Sequence, residues 1–190
     1  MIQGRNMICG KKFIKVGVIC ILLMLICSGC NMKTKKYLIP STALFAQTNG
    51  QDGLVSKIKE MNKDQKFCTD IRKTDDGGVL LVLTEEQKKN MQSQYLKNMK
   101  KFADGIKGLG DTIEINKDYT EITYYATFKT FSTLDIGAVM FYLAGYQCLQ
   151  IPEKGEWSLN VTIINSETNK IVKQIEFPKE NLDIVGEDWK

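Results

Sequence analysis

The chain has 190 residues, 43% hydrophobic and 25% charged, which suits one domain with a sizeable core. It contains no histidine, and that excludes Ser-His-Asp and Cys-His catalysis as well as histidine-bearing zinc hydrolase motifs. The 26 basic and 22 acidic residues leave a net +4, but Arg5, Lys11, Lys12 and Lys15 carry all of that excess, so the chain from residue 30 onward is formally neutral and lacks a basic footprint for nucleic acid.

The chain opens with a basic segment free of acidic residues, followed by an apolar run from Val16 to Ile26. A run of that length fits a signal-peptide core and falls well short of the roughly 20 residues that span a bilayer as a helix. Cys27, Ser28, Gly29 and Cys30 come next. Ser28 and Gly29 are small, as a peptidase pocket ahead of a cleaved bond requires. The stretch resembles the lipobox of bacterial lipoproteins, with Cys27 where an aliphatic residue is usual. The resemblance implies that residues 1–29 are a lipoprotein signal peptide and that Cys30 becomes the mature N-terminus. It also implies a thioether-linked diacylglyceryl group on the Cys30 thiol. An uncleaved N-terminal anchor is the alternative. Either way the domain lies outside the cytoplasm, because the positive flank stays inside. Two acyl chains hold a protein stably where one binds marginally, at about 0.8 kcal/mol per buried CH2. The expected address is the extracytoplasmic face of the cell membrane, with the membrane a partner through the lipid.

Residues 30–36 are expected as the lipidated tether, with Lys33, Lys35 and Lys36 in it, and residues 37–178 as a single domain. Tyr37-Leu38-Ile39-Pro40 has the character of a short strand, ended by the proline. Leu54, Val55, Ile58 and Met61 share one helical face near 53–62. A hairpin follows, 66–72 and 79–83, turned by Asp75-Asp76-Gly77-Gly78. Thr84-Glu85-Glu86-Gln87 is a capping box opening a helix to about Lys107, with the apolar face Met91, Tyr95, Met99, Phe102 and Ile106. Glu85 and Glu86 suit its positive end and Lys100, Lys101 and Lys107 its negative end. Gly108 and Gly110 stop it, and strands 112–116 and 121–127 follow. A helix over 133–150 is apolar nearly all round, and Gly137, Ala138, Ala144 and Gly145 suit close packing against a sheet. Strands 157–164 and 170–177 complete the domain, the first alternating cleanly from Trp157 to Ile163, and an acidic tail spans 179–190.

Helix then hairpin, three times over, predicts an α+β domain of two layers. About six strands form a mainly antiparallel sheet, covered on one face by about three helices. With the 133–150 helix at its centre, this order resembles a family of uncharacterised small lipoproteins of Gram-positive bacteria. The shared features are the lipobox, Ile39-Pro40, the 84–107 helix and the 155–177 hairpin. The resemblance implies no activity.

Only Cys68 and Cys148 fall within the domain, and an extracytoplasmic compartment permits a bridge between them or leaves two buried thiols. No metal or cofactor site and no catalytic residue is expected. Ser56-Lys57-Ile58-Lys59 matches a Ser-x-x-Lys pattern, but its companion elements are absent. Asp75-Asp76 and Glu85-Glu86 read as a turn and a helix start. The aromatics give the one binding hint: Tyr124 and Tyr125 point to opposite faces of a strand, and one of them could join Tyr119 and nearby threonines on an open sheet face. The expectation is a non-enzymatic binding module for an unknown protein or small molecule. A carrier or chaperone for a lipid or hydrophobic peptide, and an enzyme using carboxylates or a thiol, are the alternatives.

Overall fold

A computed structural model describes residues 33–46, 49–63 and 66–189. Ser28, Gly29 and Cys30 lie outside the described residues. The elements run β1 (Lys35–Ile39), α1 (Gly50–Met61), β2 (Asp70–Lys73), β3 (Val79–Leu83), α2 (Glu85–Gly108), β4 (Thr112–Ile115), β5 (Glu121–Ala126), α3 (Thr133–Cys148), β6 (Leu159–Asn165) and β7 (Ile171–Phe177). Short 3-10 helices occupy Ser41–Leu44 and Gly186–Trp189. Lys35 and Lys36, expected in the tether, are the first residues of β1.

The protein is α+β, with helix followed by hairpin-ordered strands three times after β1. The strands number seven among the described residues rather than about six. They form two sheets rather than one, ordered β1-β3-β2 and β4-β5-β6-β7. β1 supplies the difference, pairing antiparallel with β3 from Lys35↔Leu83 to Ile39↔Val79. All pairings are antiparallel except β5 with β6. Those two are joined across α3, a connection long enough to return the chain in the same direction.

Each sheet turns one apolar face inward. Tyr37, Ile39, Val79, Leu81 and Leu83 come from the first, and Ile122, Tyr124, Leu159, Val161 and Ile163 from the second. They share one core with α3, whose Ile136, Val139, Met140, Leu143 and Ala144 are buried. α1 lies against β2 and β3, and α2 packs along α3. No helix of the described residues is long and apolar enough to cross a membrane.

Local chemistry sets the boundaries. The Thr84 hydroxyl accepts from the Gln87 amide at 3.1 Å, and Gln87 Oε1 accepts from the Thr84 amide at 2.8 Å, which completes the capping box. The Ser132 hydroxyl caps α3 by accepting from the Asp135 amide at 3.2 Å. Gly77 holds φ 84 in the β2–β3 turn, where a side chain would be strained. The last residues fold back as well: the Trp189 ring centroid lies 5.4 Å from that of Phe131.

Candidate functional site

The two cysteines are free, not bridged, and both are buried. Cys68 sits beyond α1, where Asn62 Oδ1 accepts from its amide at 3.0 Å. Cys148 ends α3, its Sγ 3.8 Å from the Gly155 carbonyl. Burial pushes both thiols up, Cys148 to about 12, and neither is a thiolate at neutral pH. The carboxylate pairs fall where the sequence puts them. Asp76 accepts from the Thr74 hydroxyl in the β2–β3 turn, and Glu85 and Glu86 start α2. Among the described residues no three His, Cys, Asp or Glu side chains converge as metal ligands.

The aromatic hint divides. Tyr124 points into the core and donates from its hydroxyl to Asp111 Oδ2 at 3.0 Å. Tyr125 stands on the opposite face of β5. It pairs directly with Thr112 and Ile164, and Ile164 with the exposed Ile171, while further along the same face Glu114 pairs with Thr123, Thr123 with Thr162, and Thr162 with Gln174. Tyr119 does not join that face. It adopts φ 59 and packs its ring 5.0 Å from Tyr146 on α3. The sheet face is therefore mixed, with Tyr125, Ile164 and Ile171 toward one end and polar residues around Thr162 and Gln174.

The apolar surface lies on the helical side. Leu134 on α3 is 86% exposed, and Ala138 and Tyr142 follow it at intervals of four residues on one stripe. Phe102, expected in the core face of α2, is 38% exposed instead, and Leu109 beyond it 66%. Three depressions run along the stripe. One of about 250 Å³ lies between Phe45, Leu134, Gly137 and Leu182. One of about 360 Å³ has Gly53 and Lys57 of α1 on one side, Phe102 of α2 on the other and Ala138 and Tyr142 beneath. One of about 320 Å³ lies between Lys101, Gly105, Leu109 and Asp135. Ala46 and Ala138 border the first two and Phe102 the last two, so they form one channel. Gly137 and Gly105 leave it open, because a Cβ at either would meet nothing within 4 Å. Gly137 and Ala138, expected against a sheet, face this channel, while Gly145 faces Tyr95 of α2.

The sequence carries one sign of this surface. A helix apolar on every side needs cover on every side. α2 and the strands cover most of α3, and the Leu134–Tyr142 stripe is what remains. Between α1 and α2, lined by Leu54, Met91, Tyr95 and Phe141, the remaining space is only about 50 Å³. That is far below the several hundred Å³ of a lipid or drug-sized site.

No family model matches the chain, and neither a curated protein nor a solved structure matches it.

Proposed function

We propose that the chain is an extracytoplasmic lipoprotein, held to the cell membrane by a diacylglyceryl group on Cys30. Its folded part is a non-enzymatic interaction module that binds a partner protein through the channel along α3. One observation carries the second half: an apolar stripe with Leu134 at 86% exposure, flanked by two helices and left without cover. Contiguous apolar surface of this kind marks interaction sites. The lipobox resemblance supports the first half, and the small space between α1 and α2 counts against a lipid carried inside the domain.

Site-specific photo-crosslinking in intact cells tests it. A photoreactive residue in place of Leu134 is expected to give one dominant adduct, and the same residue in place of Gln174, on the polar part of the sheet face, to give none. Equal adduct patterns from the two positions, or none from either, would refute the reading.

A further inference from the structure

We propose that the α3 channel seats an amphipathic helix of the partner, one with an apolar face and acidic flanks, and that it opens away from the membrane. This rests on the reading of the chain as an anchored partner-binding module and names the partner's chemistry.

The walls determine the shape of the occupant. Around the second and third depressions they are α1 and α2, with α3 as the floor, while the first is bordered by Phe45, Phe177 and Leu182. The helices use their backbone groups on their own hydrogen bonds and offer no free strand edge along their part of the channel. An extended segment pressed into the channel would bury amides and carbonyls without partners. A helix brings its backbone already satisfied. The stripe from Leu134 to Tyr142 is about 12 Å long at 1.5 Å per residue, matching two turns of a partner helix. The partner's large apolar side chains would enter the depressions, and its backbone would approach closely at Gly137 and Gly105, where no neighbouring atom obstructs.

Charge selects the flanks. Lys57 stands on the α1 wall and Lys101 on the α2 wall. Neither makes an ion pair among the described residues, whose pairs are Arg72–Asp70, Lys73–Asp52, Lys88–Glu85, Lys154–Glu156 and Lys179–Glu176. The second half of α2 adds Lys97, Lys100 and Lys107 against Asp104, while α1 as a whole carries Lys57 and Lys59 against Asp52 and Glu60. Asp135 is the acid within the channel, at the N-terminal end of α3. Each rim thus presents one lysine unpaired among the described residues, Lys57 or Lys101, with α2 the more basic side, and carboxylates on the partner would complement them. Rim charges of this kind select a partner more than they add affinity.

The point where the chain leaves the domain argues against a lipid occupant. The Lys36 carbonyl accepts from the Glu153 amide at 2.9 Å, which places the start of β1 beside the residues that follow α3. Four residues lie between Cys30 and Lys35, so the reach from one to the other is at most about 18 Å. Leu134 is at the other end of α3, which rises about 24 Å over its 16 residues. The start of β1 and Leu134 are thus at opposite ends of α3.

The test uses the full chain reconstituted in phosphatidylcholine vesicles and two fluorescent designed helices. Both carry leucines at i, i+4 and i+7; one has glutamate flanks and the other lysine flanks. Fluorescence anisotropy is expected to show the glutamate helix binding roughly 10-fold tighter. Lys57→Glu with Lys101→Glu should reverse that preference. Ala138→Arg should abolish binding of both helices, and Leu134→Asp, on a side chain already in solvent, should weaken it with an unchanged melting temperature. Equal affinity for the two helices, no binding of either at 1 mM-scale concentration (roughly the weakest useful affinity), or binding that survives Ala138→Arg would overturn the proposal. So would loss of helix binding on adding phosphatidylglycerol to the vesicles, since the channel would then face lipid. If the helices fail while the Leu134 crosslink holds, the partner site stands and its helical, acidic occupant falls. If both fail, the reading beneath falls too.

Discussion

Gly145 of α3 faces the ring of Tyr95 on α2. A Cβ there would come within 2.8 Å of the Tyr95 ring. Glycine in a helix ordinarily costs about 1 kcal/mol relative to alanine, so Gly→Ala normally stabilises. At Gly145 the sign should invert: overpacking against Tyr95 is expected to cost about 1–3 kcal/mol in urea unfolding. Gly137→Ala, into open space, should gain up to about 1 kcal/mol. Amide side chains hold the loops. Gln147 donates to the Tyr119 and Ser158 carbonyls at 2.7 and 3.0 Å and accepts from the Ser158 amide at 2.9 Å, tying the starts of β5 and β6 to α3. Gln51 spans the β2–β3 turn in the same way, donating to the Thr74 and Gly78 carbonyls. None of this is legible in the sequence, because each amide finds backbone groups far along the chain. Protonation gives a further handle. Burial pushes the Cys148 thiol up to about 12 and holds Tyr95 and Tyr124 above the usual tyrosine range, Tyr124 with help from Asp111. Unfolded, these groups ionise near about 8.5 and 10. Above that point the folded state keeps protons that the unfolded state has lost, so stability falls as pH rises. Denaturant midpoints should therefore drop from about pH 8.5 upward, and Cys148→Ala should make the first part of that drop shallower.

At the scale of elements, termini were readable and partners were not. Thr84 and Gln87 announce the start of α2 by residue type and spacing, and both capping bonds form. Gln87 also accepts from the Thr69 hydroxyl at 3.0 Å, which joins the cap to the segment before β2. Thr84→Ala is expected to lower stability by about 1 kcal/mol, read as a lower thermal midpoint with unchanged far-ultraviolet circular dichroism. The alternation of β6 correctly gave its buried face, since a period of two leaves no choice once one face is apolar. Pairing is different. Hairpin neighbours can be inferred from short turns, but β1 with β3 and β5 with β6 meet across long connections that local pattern does not encode. That is why one sheet was expected and two are present. Phe102 shows the limit of periodicity. Spacing places it on the apolar face of α2 with Ile106, yet Ile106 is buried one turn further on while Phe102 stands at the side of the buried stripe.

For the whole molecule, the informative contrast is between the two sides. The open face of the second sheet carries Glu114, Thr123, Thr162 and Gln174 together with Tyr125, Ile164 and Ile171, while α3 exposes Leu134 in an apolar depression with Phe45 and Leu182. The address and the errand meet in one measurement: labelling of Leu134→Cys and Gln174→Cys by a membrane-impermeant maleimide, in intact cells and on the purified chain. Cys68 and Cys148 are buried and stay silent. The account expects Gln174→Cys to label equally in both settings. It expects Leu134→Cys to label readily when purified and to be protected on cells, where the partner covers it. Labelling of Gln174→Cys only after lysis, or equal labelling of Leu134→Cys with and without the cell around it, would contradict the account.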